Sequence, residues 1–183
     1  MKLAKLHEQL RGYRPANAVE AGFVSRMSEL ARTDSSSARS HFEPGHFTAS
    51  AFVLSPDRRE LILIFHKKLG IWVQPGGHLD ESDADLESAA RREVAEEVGL
   101  SELEPFGAAG ALFDLDIHVI PARKQEPAHE HFDVRFAFVA ATRDFILSDE
   151  VADARWVALE RAAEVTSDQS VLRAVAKLQA LIS

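Results

Sequence analysis

The feature that most constrains this chain is the nine-residue run from Arg92 to Leu100, REVAEEVGL. A helix turns about 100° per residue, so the carboxylates of Glu93, Glu96 and Glu97 project from one face. Like charges at this spacing repel one another, and a hard divalent cation with oxygen ligands would offset the repulsion. The run therefore predicts a metal-binding helix. The alternative interpretation is a solvated helix held by salt bridges such as Arg92–Glu96.

Together with the preceding Gly76-Gly77 pair, this run resembles the Nudix box, in which a glycine and an acid precede an R-E-x-x-E-E-x-G helix. The match is complete from Arg92 to Leu100. Upstream the loop is one residue longer, with Asp83 in place of the usual acid. The resemblance covers roughly residues 42–166 and implies a Nudix-type α/β/α sandwich with a mixed β-sheet, which is an α/β fold.

The resemblance also implies an activity: hydrolysis of a phosphoanhydride bond in a nucleoside diphosphate derivative or nucleoside triphosphate. It implies that Mg²⁺ or Mn²⁺ would neutralise phosphate oxygens and lower the pKa of a bound water. The implied metal ligands are the carboxylates of Glu93, Glu96 and Glu97 and the carbonyl of Gly77. Arg92 and Asp83 would support the box.

A general base must accept the proton of the attacking water. The candidates are Glu96, Glu97 and Glu150, the last because some family members carry an additional acid in the corresponding loop. The alternative hypothesis is a Nudix-fold module that senses a nucleotide without turnover. Such modules typically lose box glutamates, and all three are present here.

Apolar periodicity predicts the elements around the box. Two stripes, Leu3–Leu6–Leu10 and Val19–Phe23–Met27–Leu30, predict helices within residues 1–33. We expect residues 1–40 to form an N-terminal helical extension and residues 41–183 to form the Nudix hydrolase domain. The box helix should run from about Ala84 to Val98, with Ser82 or Asp83 as its N-cap. The expected strands are Phe47–Leu54, Glu60–His66, Ile71–Val73, one or two within Gly107–Ile120, His131–Val139 and Arg155–Leu159, and a final helix begins near Asp168.

Residues 114–120 and 131–138 are predicted to pair as a hairpin that carries polar side chains on one face. We expect part of this face to bind substrate together with His78, which directly follows Gly77. Arg135 could hold a phosphate by two hydrogen bonds, and His131 and Asp133 could orient water or bind a second ion. A metal role for His129 with His131 is a further hypothesis. The alternative is a polar strand face with cross-strand pairs, such as His118 with His131 or Asp116 with Arg135.

Charge and composition limit the classes of molecule that this protein is expected to bind. The formal net charge of −8 argues against general nucleic-acid binding, and the chain has no cysteine for disulfides or thiolate chemistry. No apolar run approaches the roughly 18 residues of a membrane span. The charged start of the chain does not resemble a secretory signal. We therefore expect a cytoplasmic protein that acts on a small nucleotide or diphosphate and does not bind membranes. A homodimer is compatible with the sequence.

Three markers of known subgroups are missing from the sequence. No proline occurs in Asp114–Ile117, where ADP-ribose pyrophosphatases usually carry one, and the only tyrosine is Tyr13, which argues against dinucleoside polyphosphate hydrolases. Isopentenyl diphosphate isomerases of this fold need a cysteine. These observations leave the nucleobase and the leaving group open.

Overall fold

The computed structural model describes residues 3–67, 70–123, 125–149 and 151–182. In chain order its helices and strands are α1 (Ala4–Gly12), α2 (Ala18–Leu30), β1 (Gly45–Leu54), β2 (Glu60–His66), β3 (Ile71–Val73), β4 (Gly76–His78), α3 (Leu86–Val98), β5 (Leu103–Pro105), β6 (Asp114–Ile120), β7 (His129–Ala140), β8 (Val151–Ala158), α4 (Ala162–Val165) and α5 (Gln169–Ile182). Short 3₁₀ turns occupy Asp34–Ser37 and Leu159–Arg161. None of the described helices has the length and apolarity that crossing a membrane requires.

The chain forms two compact units, each assembled from three segments. The first unit contains residues 1–50, 76–90 and 110–136, and the second contains residues 51–75, 91–109 and 137–183. The α/β class with a mixed sheet, predicted from the sequence, is confirmed.

In the first unit, short strands pair with two long ones. β4 runs antiparallel to β1, with Gly77 opposite Ala49. β6 runs antiparallel to β7, with Asp114 opposite Arg135 and His118 opposite His131. The predicted hairpin is therefore confirmed, because alternating polar and apolar residues on both strands fix its register.

In the second unit, β2 is the central strand. It pairs antiparallel with β8 along its whole length, from Glu60 opposite Ala158 to His66 opposite Val151. It also pairs with the end of β1 and with β3. Leu61–Ile64 are almost completely buried, as expected for a nearly continuous apolar strand. The end of β7 pairs with β5.

The N-terminal helices belong to the first unit, where α2 packs against β6. The stripe Leu3–Leu6–Leu10 is buried as predicted. The apolar stripe predicted for α2 is wrong at its first residue, because Val19 is 64% exposed and Glu20 is buried instead. The Glu20 carboxylate accepts hydrogen bonds from the Tyr13 hydroxyl and from a main-chain N–H, which makes its burial possible.

Two strands were not predicted, and others have different limits. β4 falls on Gly-Gly-His and β5 on Leu-Glu-Pro, which are poor strand formers and are extended because of the long strands beside them. Residues 107–113 are not strand, and β6 begins at Asp114. β8 begins at Val151, four residues before the predicted start at Arg155.

Gly76 allows β4 to lie close to β1. An added Cβ there would lie 2.3 Å from Ser50 Cβ and 2.8 Å from the Ala49 carbonyl oxygen. We expect Gly76→Ala to lower the free energy of unfolding by roughly 2 kcal/mol or more, because strand backbone would have to move. Urea denaturation measures this change.

The matched control is Gly22→Ala in α2, where an added Cβ has no neighbour within 4 Å. It should raise the free energy of unfolding by about 0.5–1 kcal/mol, because alanine is the better helix former. A Gly76→Ala protein as stable as the parent would contradict the close approach of β4 to β1.

Candidate functional site

The box helix α3 starts about two residues later than its pattern predicts. Asp85 is its N-cap, in place of the expected Ser82 or Asp83. The Asp85 carboxylate accepts a hydrogen bond from Ser88 N at 2.8 Å, and Asp85 N donates to Ser88 Oγ at 2.9 Å. Asp83 is buried in the preceding turn, where its carboxylate accepts from Asp80 N at 2.7 Å. The reciprocal hydrogen bonds between Asp85 and Ser88 fix the start of α3.

Three glutamates lie on the part of α3 that belongs to the second unit, in which Val94 and Val98 are completely buried. Arg92 Nη1 donates to Glu93 Oε1 at 2.9 Å and to Glu96 Oε2 at 2.8 Å. Glu97 follows directly. One guanidinium nitrogen is therefore shared between two of the three predicted metal ligands.

The last turn of α3 holds the loop that precedes β8. Ile146 N donates to the Val98 carbonyl at 3.0 Å, and Ser148 N donates to the Glu97 carbonyl at 3.2 Å. Ser148, two residues before Glu150 in the sequence, is thus bonded to Glu97, a predicted metal ligand. Glu150, a predicted general base, lies outside the described residues.

Histidine rings from four strands, β1, β4, β6 and β7, meet in the first unit. The His46 ring centroid lies 4.8 Å from that of His131, 5.0 Å from that of His129 and 5.1 Å from that of His78. His118 contacts His131 across the hairpin at 5.4 Å. Among the described residues, one group of side chains could hold a metal ion. It consists of His46, His129 and His131, whose possible ligand atoms lie within 4.8 Å of one another. The glutamates of α3 do not form such a group in this structure.

Hydrogen bonds fix the orientation of two of these rings. His46 Nδ1 lies 3.0 Å from the His41 carbonyl oxygen, and His129 Nδ1 lies 2.8 Å from the Pro127 carbonyl oxygen. Because a carbonyl can only accept, each Nδ1 carries the hydrogen and each neutral ring has its lone pair on Nε2. His46 is 1% exposed, and its Nε2 is buried without a hydrogen-bond partner.

Burial keeps most of the cluster neutral. It lowers the pKa of His46, lowers that of His78 to about 4 and lowers that of His131 to about 2, with neighbouring imidazoles adding to each effect. Burial would also lower the pKa of His118, but its hydrogen bond to Asp116 and the charges of Asp133 and Asp116 raise it.

The lowered pKa values predict a pH-dependent stability. His78 and His131 stay neutral in the folded protein but take up protons in the unfolded chain below about pH 6.5. Stability is therefore lost as the pH falls through this value. We expect the free energy of unfolding to drop by about 2 kcal/mol between pH 7 and pH 5.5, measured by urea denaturation in a chelating buffer.

The control is the double variant His78→Gln/His131→Gln, which removes both titrating rings. Its stability should vary less with pH than that of the parent. The comparison is needed because His118, with its raised pKa, acts in the opposite direction. An equal pH dependence in both proteins would contradict the prediction.

Arg135 is buried among three aspartates. Its Nε donates to Asp133 Oδ2 at 2.8 Å, its Nη1 to Asp114 Oδ2 at 3.2 Å, and its Nη2 lies 3.5 Å from Asp116 Oδ2. Burial opposes the charged form, but the three carboxylates raise the pKa of the guanidinium above its ordinary value. The structure thus favours the cross-strand pairing of Arg135 over a phosphate contact.

Asp133 is equally enclosed. Besides Arg135, it accepts hydrogen bonds from Thr48 Oγ1 at 3.1 Å and from Ser50 Oγ at 2.8 Å. Of the four predicted substrate-binding residues, the structure brings His78 and His131 into one cluster and gives Asp133 and Arg135 buried partners.

His46 is the member of the cluster that sequence reasoning missed. The available signal is alternation on β1, where His46, Thr48 and Ser50 occupy every second position between apolar residues. Both Thr48 and Ser50 bond to Asp133, so these residues lie beside the polar residues of β7, the neighbouring strand of the same sheet. A polar alternation in each of two buried strands is the pattern expected when the strands are neighbours and share one polar face of a sheet.

Comparisons with known proteins agree on the family. A family model described as the NUDIX domain matches residues 44–177. No match was found among curated proteins. A NUDIX-family hydrolase from Clostridium perfringens is similar with a TM-score of 0.56 and 23% identity, over 74% of this chain and 97% of that chain.

Two further solved structures are similar. The E. coli dihydroneopterin triphosphate pyrophosphohydrolase has a TM-score of 0.56 and 17% identity, over 70% of this chain and 91% of that chain. The NUDIX domain of Shewanella oneidensis NrtR, complexed with ADP ribose, has a TM-score of 0.57 and 18% identity, over 86% of this chain and 98% of that chain. At these identities the likeness shows a shared fold.

Proposed function

The chain belongs to the Nudix family, and we propose that it is a metal-dependent hydrolase of a nucleoside diphosphate derivative or nucleoside triphosphate. Family membership indicates hydrolysis of a pyrophosphate bond in general. The metal dependence and the substrate class are the finer parts of the proposal.

The observation that carries the proposal is the position of Arg92. Its Nη1 lies 2.9 Å from a Glu93 oxygen and 2.8 Å from a Glu96 oxygen. Two carboxylates that share one cationic nitrogen are close enough to share a divalent cation once the guanidinium turns away. The donor set is made of oxygens, which suits a hard cation such as Mg²⁺ or Mn²⁺.

The residues that would hold this ion are Glu93, Glu96 and Glu97, with the Gly77 carbonyl as a further ligand. When bound, the ion would neutralise phosphate oxygens and make a bound water more acidic. Before the ion binds, Arg92 keeps the side chains of Glu93 and Glu96 oriented. Asp83 would support the loop before α3 through its bond to Asp80 N.

The proton of the attacking water would pass to a carboxylate. One candidate is whichever of Glu96 and Glu97 is not wholly committed to the ion. Glu150 is the other candidate, because some family members carry an additional acid in the corresponding loop.

His78 and His131 are the proposed substrate contacts. Their rings lie 5.1 Å apart, and burial keeps both neutral at pH 7. A neutral imidazole can donate one hydrogen bond and accept another, so it suits the uncharged base or ribose of a nucleotide better than its phosphates. Asp133 and Arg135 would support this face from within the hairpin.

The test is a substrate panel with and without Mg²⁺ or Mn²⁺. It includes nucleoside triphosphates, ADP-ribose, a dinucleoside polyphosphate and dihydroneopterin triphosphate, with release of phosphate or nucleotide as the readout. We expect turnover of at least one compound, abolished by a chelator, with ¹⁸O from water entering a phosphate product. Binding of a nucleotide without turnover of any compound would contradict the enzyme and support a sensing module.

A further inference from the structure

We propose that His46, His129 and His131 form a second metal site, which binds one late first-row divalent ion of the zinc class. This site goes beyond the proposed hydrolase activity, with which it shares the residue His131. Its ligands are nitrogens, whereas those proposed on α3 are oxygens.

The geometry of the three rings is the first support. Their possible ligand atoms lie within 4.8 Å of one another. In a tetrahedral site with bonds of about 2.0–2.1 Å, ligand nitrogens lie about 3.3–3.4 Å apart. Small ring rotations would therefore close the group around one ion. The three ligands would leave a fourth position for a water or an anionic oxygen.

The hydrogen bonds of the rings are the second support. Metal-binding histidines usually donate their other ring N–H to a backbone carbonyl or a carboxylate, which fixes the tautomer. His46 and His129 both do so through Nδ1, to the carbonyls of His41 and Pro127. Phe42 packs on the His129 ring with centroids 5.0 Å apart, which further restricts that ring.

The buried lone pair of His46 is the third support. Its Nε2 has no hydrogen-bond partner, although the residue is 1% exposed. A buried polar atom without a partner costs free energy, by roughly 1–3 kcal/mol in mutational data. A metal ion bound to Nε2 would remove this cost and explain why a histidine occupies that position of β1.

The choice of ion follows from the ligand chemistry. Imidazole nitrogen suits Zn²⁺, Cu²⁺, Ni²⁺ and Co²⁺, whereas Mg²⁺ and Mn²⁺ prefer carboxylate, carbonyl and water oxygens. Zn²⁺ should therefore bind in the presence of excess Mg²⁺. The two kinds of site can be separated in one protein by this difference.

The experiment uses untagged full-length protein stripped with a chelator, and titrates Zn²⁺ by calorimetry in excess Mg²⁺. We expect one Zn²⁺ per chain and, for the Co²⁺-loaded protein, the intense visible absorption of tetrahedral coordination. The test variants are His46→Asn and His129→Asn, because asparagine can keep the bond made by Nδ1 while removing Nε2. Each should weaken Zn²⁺ binding by about tenfold or more.

The matched control is His7→Gln. His7 Nε2 lies 3.0 Å from the Ala31 carbonyl oxygen, so glutamine can keep this bond, and His7 lies outside the cluster. This variant should bind Zn²⁺ like the parent. Glu97→Gln should also leave Zn²⁺ affinity unchanged, since it alters the proposed Mg²⁺ site.

Circular dichroism establishes that each variant is folded, and His131→Gln replaces any variant that is not. The proposal is overturned if the parent binds no Zn²⁺ in excess Mg²⁺, or if folded variants of the cluster bind it as tightly as the parent. It is also overturned if Glu97→Gln, rather than the histidine variants, removes binding.

Discussion

Replacing Glu97 by glutamine is expected to lower kcat by at least about a hundredfold, which corresponds to about 2.7 kcal/mol of activation free energy. Glutamine keeps the size of the side chain but removes its charge. The protein should therefore fold normally and hold the proposed divalent ion less well. The measurement is kcat on the substrate found with the panel, across a range of Mg²⁺ concentrations.

The control for this variant is Glu104→Gln, which removes the same charge from an exposed position on β5. It should retain parental turnover. If Glu97→Gln retained most of its activity, Glu97 would be removed from the metal site. Glu96 and Glu150 would then be the remaining candidates for the general base.

Replacing Arg135 by methionine is expected to lower the free energy of unfolding by about 3 kcal/mol or more. The buried guanidinium faces Asp114, Asp116 and Asp133 at 3.2, 3.5 and 2.8 Å, and methionine would leave these carboxylates without it. Removing one partner of a buried ion pair is strongly destabilising because the remaining charge has lost its water. Urea denaturation at pH 7 measures the effect.

The control is Arg161→Met, which breaks an exposed pair with Glu164. It should leave the free energy of unfolding nearly unchanged, because exposed ion pairs contribute little. The double variant Arg135→Met/Asp133→Asn should recover part of the lost stability by removing one uncompensated charge. A loss below about 1 kcal/mol for Arg135→Met alone would contradict the buried network.

Features that depend on local spacing could be predicted from the sequence. The position of Glu93 and Glu96 on one face of α3 follows from the helical repeat. The pairing of His118 with His131 follows from alternation in the two strands of the hairpin. Both depend only on residues close in sequence or on one strand pairing.

Features that depend on distant parts of the chain could not be predicted. Alternation in β7 separates His131, Asp133 and Arg135 from the apolar residues, but it does not show that β1 is the neighbouring strand and extends this polar face. The burial of Arg135 and the position of His46 beside His129 and His131 depend on the pairing of β1 with β7. The N-cap of α3 was misassigned because Asp83 and Asp85 are both good capping residues, and the reciprocal bond with Ser88 decides between them.

The bridge made by Arg92 affects how the acidic turn of α3 folds. Because the guanidinium is part of the chain, the carboxylates of Glu93 and Glu96 already have a positive partner as the helix forms. Folding of this acidic turn need not wait for a supply of divalent ions. Binding of the proposed divalent ion would then exchange one cation for another on a helix that has already formed.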